Sequence, residues 1–282
     1  MLPDAGAVLG IDVGFSATRR STCFCLLRWT GGAAHLAFRS ATADPAMRRD
    51  ALTDLLAGVP RVLAVAVDGP LVPGLAHTTR YRAAEALLSR GPMQRRGKPG
   101  ATSAPVGQRL HRHATELAHL ALGAVEVAPA AHADAIHERC VVEAFPNAFL
   151  AALLDDDEFP PLRRDASDVF WELAVDRVGC LLEALLPRRA LDVTLPAVRD
   201  HDDRAGVVCT LTALAVASGA FVAVGDPAGG EIILPPLGRW GQDRAGTPWL
   251  LGVLRDAAAA LGGPRPGRPT FTGARVREVG PR

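Results

Sequence analysis

Three apolar runs, each carrying a carboxylate at or near its end, dominate the hydrophobic pattern of this chain. They are residues 8–11 before Asp12, residues 62–67 before Asp68, and residues 139–145, which contain Glu143. Continuous apolar runs rich in β-branched residues are typical of strands that are buried on both faces, as in a parallel sheet. A carboxylate in such a strand is costly unless a cation or an arginine offsets its charge.

Two further segments predict an antiparallel meander with the first strand. Residues 21–29 and 34–40 are β-rich, and Gly31-Gly32 between them is a turn signal. Helical spacing appears at 45–56 after an N-capping Asp44, and again at 78–89, 111–122, 149–154, 168–186, 201–218 and 249–260. The pattern therefore predicts an α/β fold whose mixed sheet, a three-strand antiparallel meander plus parallel strands, is flanked by helices.

Neither an internal repeat nor a clear linker divides the chain. Its 282 residues, 49% of them hydrophobic, are enough for a large core, so we expect one elaborated domain over residues 1–262. A basic, glycine-containing insertion lies near 78–122. The Gly-, Pro- and Arg-rich stretch 263–282 is expected to be a flexible tail.

Charge, cysteine content and hydropathy argue against bulk electrostatic binding, disulfide bonds and a membrane span. A net charge of +1 gives no bulk attraction to nucleic acid or membranes, so such a partner would need a local basic patch. The five cysteines form no Cys-x-x-Cys motif and are expected to be free thiols in a reducing compartment. The first residues lack the basic start of a signal peptide and no uncharged apolar run reaches ~18 residues, so we expect a cytoplasmic protein without a membrane span.

The placement of the acids predicts a metal site. Because the carboxyl ends of parallel strands meet at one edge of a sheet, Asp12, Asp68 and Glu143 are expected to converge there. A helix that opens with Asp202 and Asp203 can pack against the same edge. Crowded carboxylates raise one another's pKa, and Mg²⁺ or Mn²⁺ would relieve the repulsion. Two such ions ~3.5–4 Å apart can clamp the oxygens of a phosphodiester undergoing hydrolysis.

Each acid also fits an ordinary structural role. Asp12 and Asp68 stand close to glycine, as in turns, and a buried Glu143 more commonly pairs with an arginine. Asp202 and Asp203 fit the N-terminal turn of a helix, where carboxylates interact favourably with its dipole.

Short motifs spread over residues 10–236 resemble the domain of unknown function 429 family of the ribonuclease H-like superfamily. They are 10–12 (Gly-Ile-Asp), 67–71 (Val-Asp-Gly-Pro-Leu), 142–146 (Val-Glu-Ala-Phe-Pro), 201–203 (His-Asp-Asp) with 209–213 (Cys-Thr-Leu-Thr-Ala), and 230–236 (Gly-Glu-Ile-Ile-Leu-Pro-Pro). Members are described mainly as predicted nucleases. The resemblance therefore implies a ribonuclease H-like fold and metal-dependent hydrolysis of nucleic acid.

Carried over by position, Asp12 matches the acid of the first strand, Asp68 the acid after the next parallel strand, and Glu143 the glutamate before the Phe-Pro step. The family has a further acid where this chain reads Ala205-Gly206, which leaves the last metal ligand open between Asp202 and Asp203.

In a nuclease, we expect Asp12 to bridge the cations, with Glu143 and either Asp202 or Asp203 completing the site. Asp68 would bind a cation or orient the attacking water. Glu85 is expected to pair with a nearby arginine, and His201 is a candidate proton shuttle at the edge of the site. The residues expected to hold phosphates are Arg80, Arg82, Arg95, Arg96 and Lys98.

Two other functions remain open at this stage. Residues 12–19 also resemble the first phosphate motif of the sugar-kinase and actin-like ATPase superfamily, with residues 68–70 as a second phosphate motif. The absence of an acid at Ala205, together with the basic residues Arg95, Arg96 and Lys98, fits a catalytically degenerate nucleic-acid-binding protein. The sequence does not indicate the oligomeric state.

Overall fold

A computed structural model describes residues 2–73, 75, 81–94, 99–130, 138–158, 166–262 and 273–280. Within these ranges the chain is an α/β structure in which a nine-stranded mixed sheet carries helices on both faces. A separate pair of two-residue strands lies beside it.

The first three strands form the predicted meander. They are β1 (Ala5–Asp12), β2 (Thr22–Thr30) and β3 (Ala33–Ala41), each antiparallel to its neighbour along the whole strand. The turn between β2 and β3 uses Gly31 at φ +54°, a conformation that glycine adopts without steric cost.

The predicted strand at 62–67 is two strands. The first, β4 (Arg61–Val62), pairs with β6 (Glu126–Val127) outside the main sheet. The second, β5 (Val65–Asp68), lies parallel to β1, and β7 (Val141–Ala144) lies parallel to β5. The carboxyl ends of β1, β5 and β7 therefore meet at one edge of the sheet.

The remaining strands are β8 (Ala190–Leu191), β9 (Phe221–Asp226), β10 (Gly230–Leu234) and β11 (Arg275–Val279), and the sheet order is β11-β9-β10-β7-β5-β1-β2-β3-β8. Strand β11 differs from the flexible tail predicted over 263–282, of which only residues 273–280 lie in the described part of the chain. Its Val276 pairs with Val224 of β9, and Arg275 and Arg277 bind Glu231 at 3.1 and 2.5 Å.

The helices are α1 (Pro45–Leu55), α2 (Ala83–Leu88), α3 (Pro105–Ala124), α4 (Pro146–Leu153), α5 (Ala166–Leu185), α6 (His201–Ser218) and α7 (Trp249–Gly262). Asp44 caps α1 as predicted. Helix α2 begins later than predicted, and residues 78–80 lie outside the described part of the chain. None of the described helices is long and apolar enough to cross a membrane.

Helix α6 lies directly on β1, because Gly10 leaves room for it. A Cβ at Gly10 would collide with the backbone N and hydroxyl of Thr210 and would stand 2.6 Å from the carbonyl oxygen of Gly206. Helices α4 and α5 pack with α6 on this face of the sheet. Helices α1, α2 and α3 cover the other face, so the two faces present different side chains at the same edge.

We expect Gly10→Ala to lower the free energy of unfolding by at least about 2 kcal/mol, because backbone atoms of α6 would have to move. Urea unfolding of both proteins measures the difference. Gly252→Ala is the control: nothing stands within 4 Å of a Cβ on this helical glycine, so the change should stabilise by about 0.5–1 kcal/mol. An unchanged stability in Gly10→Ala would contradict the close packing of α6.

Candidate active site

Strand register decides which predicted acids share a face of the sheet. Ile11 pairs with Val67, so Asp12 and Asp68 are the next residues on neighbouring parallel strands and project to the same face. Asp12 lies two residues after Gly10 on β1, so both face the same side of the sheet. Because Gly10 packs against α6, this is the face that α6 covers. The structure thus brings together two of the predicted acids at the carboxyl edge of the sheet.

The carboxyls of Asp12 and Asp68 share a hydrogen bond, in which a protonated Asp12 donates to Asp68. Burial raises the pKa of Asp12 well above its usual value, and the charges of Asp68, Asp202 and Asp200 raise it further. Burial also raises the pKa of Asp68, with a smaller contribution from Glu143. Without a cation, the pair therefore holds a proton that an exposed aspartate would release.

The acids at the start of α6 stand around this pair in three different roles. Asp200, which the sequence analysis missed, is the N-cap and accepts hydrogen bonds from the backbone N–H groups of Asp202 and Asp203 at 2.9 and 3.2 Å. Asp203 accepts the thiol hydrogen of Cys23 at 3.3 Å. Asp202 acts on Asp12 through its charge. Of the two candidates left open by the sequence, Asp202 is the one whose charge reaches Asp12.

Glu143 belongs to the opposite face of the sheet. It pairs with Val67 in the β5–β7 register, whereas Asp68 pairs with Ala144. Both Glu143 oxygens accept hydrogen bonds from Arg82, from Nη2 at 2.6 Å and from Nη1 at 2.8 Å. The prediction that Glu143 completes the metal site with Asp12 does not fit this placement, and the alternative of an arginine partner does.

Arg82 is also not placed to bind phosphate, the role that the sequence predicted for it, because it is buried and paired with glutamates. Arg82 is 4% exposed, and its Nε also donates to Glu85, which is 1% exposed, at 2.9 Å. Thr102 donates its backbone N–H and its hydroxyl to the same Glu85 carboxylate. The expected pairing of Glu85 with a nearby arginine is thereby confirmed. The other predicted phosphate ligands, Arg80, Arg95, Arg96 and Lys98, lie outside the described residues.

A cleft of about 190 Å³ opens above the Asp12–Asp68 pair on the α6 face. Its walls come from α4, α5 and α6, with Phe145 and Trp171 on the apolar side and Asp168, His201 and Arg204 on the polar side. Asp168 holds both polar neighbours, accepting from Arg204 Nη1 at 3.0 Å and contacting His201 Nδ1 at 3.1 Å. His201 therefore lies at the edge of the site, as predicted.

Arg204 is a candidate anion-binding group that the sequence analysis did not identify. It is 9% exposed, its Nε donates to the Val198 carbonyl at 3.0 Å, and its guanidinium lies 6.0 Å from the Trp171 ring. Among the described residues, no partner is recorded for Nη2. A fixed guanidinium thus lines the same cleft as the two carboxyls.

The side chains around Asp12 and Asp68 provide only some of the ligands that Mg²⁺ or Mn²⁺ needs. Asp12 and Asp68 supply hard oxygen ligands at one point, but across the described ranges no three His, Cys, Asp or Glu side chains are grouped to hold a metal ion. Mg²⁺ is usually held by one or two carboxylates together with waters and substrate phosphates rather than by a full protein cage. The pair therefore suits a cation that a substrate helps to bind.

We expect the metal-free protein to lose stability as the pH rises from about 4 towards 8. Because the pKa values of Asp12 and Asp68 are raised in the folded state, the folded protein retains a proton that the unfolded chain releases. Urea unfolding in EDTA over this pH range, compared with Asp12→Asn, isolates the effect. The wild-type protein should weaken relative to the variant with rising pH, and parallel curves would contradict the shared proton.

Comparison of the chain with protein-family models, with curated proteins and with solved structures returned no match. Membership of the family that the sequence motifs resemble therefore stays a prediction. The functional argument depends on the geometry of the cleft.

Proposed function

We propose that this protein hydrolyses phosphodiester bonds of nucleic acid with the help of Mg²⁺ or Mn²⁺ bound at Asp12 and Asp68. The observation that carries the proposal is the pairing of these two carboxyls on one face of the sheet, at the ends of adjacent parallel strands. Two carboxyls that crowd each other and hold a proton in common are a site that a hard cation stabilises.

When bound, the cation polarises a phosphoryl oxygen and lowers the pKa of a coordinated water. The residues of this chain prepare that event. Asp12 and Asp68 would hold the cation and release their shared proton to solvent, and Asp202 adds to the local negative potential. Arg204, oriented by Asp168, would offer its guanidinium to a phosphate that enters the cleft. His201, in contact with the same Asp168, exchanges protons with solvent at the mouth of the cleft.

We also propose that the fold is ribonuclease H-like, and the order of the strands supports this. The order β3-β2-β1-β5-β7 combines an antiparallel meander with two strands parallel to β1, as the sequence resemblance implies. The alternative of an actin-like or sugar-kinase phosphotransferase finds less support, because a cleft of about 190 Å³ accommodates a phosphate group rather than a whole nucleoside triphosphate.

The test is to incubate the purified protein with end-labelled single-stranded DNA, single-stranded RNA and duplex DNA in Mg²⁺, Mn²⁺ or EDTA. We expect cleavage of at least one polymer with either metal and none in EDTA. A parallel assay for phosphate release from ATP examines the phosphotransferase alternative. Intact polymers in every metal condition, from protein whose circular dichroism shows it folded, would refute the proposal and favour a nucleic-acid-binding protein without activity.

A further inference from the structure

We infer that four exposed arginines around the loop after Asp12 form the surface on which a nucleic-acid strand docks; the choice of polymer rests on the proposed function. This arginine surface consists of Arg19 and Arg20 in the loop between β1 and β2, and of Arg109 and Arg112 on α3. It takes the place of Arg82, which the structure buries elsewhere.

The arginine surface adjoins the candidate active site through the chain itself. The β1–β2 loop leaves the sheet directly after Asp12, and Phe15 follows three residues later, a span of at most about 11 Å. Burial raises the pKa of Asp202, and Arg19, on the same loop, is close enough for its charge to offset part of that rise. A strand lying across the loop would therefore reach the carboxylate pair.

Contacts at the base of the loop hold one member of the arginine surface, Arg109, in a defined position. The guanidinium of Arg109 lies 4.7 Å above the Phe15 ring, and its Nη2 donates to the Phe15 carbonyl at 3.4 Å. Phe15 in turn stacks on His113 with the ring centroids 6.1 Å apart and an interplanar angle of 10°. Arg48, which is 3% exposed, donates to the carbonyl oxygen of Gly14. Less conformational entropy is lost when a pre-positioned arginine meets a phosphate.

The four arginines form no ion pair within the described ranges, where none of them has a carboxylate at ion-pair distance. By contrast, Arg39 on β3 pairs with Asp54, and Arg61 on β4 pairs with Glu126. The nearest acid on α3, Glu116, already contacts His113 at 3.0 Å. On the cleft side, the charge of Arg19 reaches Asp202. The arginine surface would bind the phosphates of a strand, and a cation held at Asp12 and Asp68 would bind the phosphate that reaches the site.

A polymer fits this surface better than a small anion does. Arg109 and Arg112 are three residues apart on one helix face, and Arg19 and Arg20 lie on a separate segment. A strand presents a phosphate at every nucleotide, so it can contact arginines on both segments at once, and each contact adds to a salt-dependent affinity. Because the net charge of the chain is only +1, a local cluster rather than bulk attraction must provide the binding.

The test measures binding of fluorescein-labelled single-stranded RNA and DNA by anisotropy across a salt series. EDTA is present so that no cleavage interferes. The double variant Arg19→Ala/Arg109→Ala is compared with Arg28→Ala/Arg255→Ala, which removes the same charge from exposed arginines on β2 and α7. We expect the first variant to bind at least about tenfold more weakly and to lower the slope of log K against log salt by about 1.4, and the control to match wild type.

Equal binding by both variants and wild type would overturn the inference, as would protein that binds anionic vesicles but no oligonucleotide. Thermal unfolding of each variant checks that the fold is intact. The outcome is separable from the proposed function. Binding lost in Arg19→Ala/Arg109→Ala by a protein that cleaves nothing would support the docking surface and refute the nuclease. Metal-dependent cleavage by wild type, together with unchanged binding in that variant, would support the nuclease and refute the docking surface.

Discussion

Asp12→Asn is expected to reduce metal-dependent cleavage at least about 100-fold and, in the same protein, to remove the stabilisation that Mg²⁺ or Mn²⁺ provides. An amide keeps the size of the carboxyl but cannot supply the negative charge that holds a cation beside Asp68. Initial rates on a labelled oligonucleotide and the melting temperature with and without the metal measure the two effects. In EDTA the variant should be more stable than wild type near neutral pH, because folded wild type has to hold a proton at Asp12 that the unfolded chain releases, whereas an amide needs none.

The control is Asp50→Asn, which changes an exposed carboxylate on α1. It should cleave and respond to metal as wild type does. If Asp12→Asn kept the wild-type rate and metal response, Asp12 would have no part in cation binding and the proposed site would be wrong.

Arg82→Met is expected to lower the free energy of unfolding by about 3–5 kcal/mol at neutral pH, because it leaves two buried carboxylates without their common partner. Arg82 binds Glu143 through both of its terminal nitrogens and Glu85 through Nε. Protonation would relieve the two orphaned glutamates, so the loss of stability should shrink as the pH falls towards 4. Guanidinium unfolding at several pH values measures it.

This prediction separates a structural role of Arg82 from the phosphate-binding role that the sequence suggested. Arg49→Met, an exposed change on α1, serves as the control and should unfold like wild type. A variant Arg82→Met with normal stability but weakened binding of nucleic acid would restore the original interpretation.

The parts of the fold with local signals were predictable. The meander follows from apolar runs separated by Gly31-Gly32, and the helices follow from spacing and, for α1, from Asp44. The convergence of Asp12 and Asp68 was also predictable, because parallel strands joined by a crossover align their carboxyl ends.

The position of Glu143 was not predictable, because it depends on register. Side chains alternate along a strand, so a shift of one residue in the β5–β7 pairing exchanges the faces of Glu143 and Ala144. The apolar run around Glu143 indicates a strand but contains no information about which residue faces Asp68. The glutamate was therefore grouped with the two aspartates, although its partner is Arg82.

Side-chain pairs between residues far apart in the chain were not predictable either, because they depend on how the elements pack. Asp168 and Arg204 are 36 residues apart in the chain and meet only because α5 packs on α6. Arg82 and Glu143 are separated by 61 residues. Strand β11 escaped notice because its neighbouring glycines and prolines suggested a tail, whereas Val276 and the two arginines that bind Glu231 attach it to β9.

The most direct test of the carboxylate pair is the binding of Mn²⁺, measured by electron paramagnetic resonance in the presence of a phosphorothioate oligonucleotide that resists cleavage. Wild type, Asp12→Asn, Asp68→Asn and Glu143→Gln are titrated side by side. We predict that wild type and Glu143→Gln bind the ion with equal affinity and that both aspartate variants lose it. Binding that survives without Asp12 and Asp68 but disappears in Glu143→Gln would contradict the account.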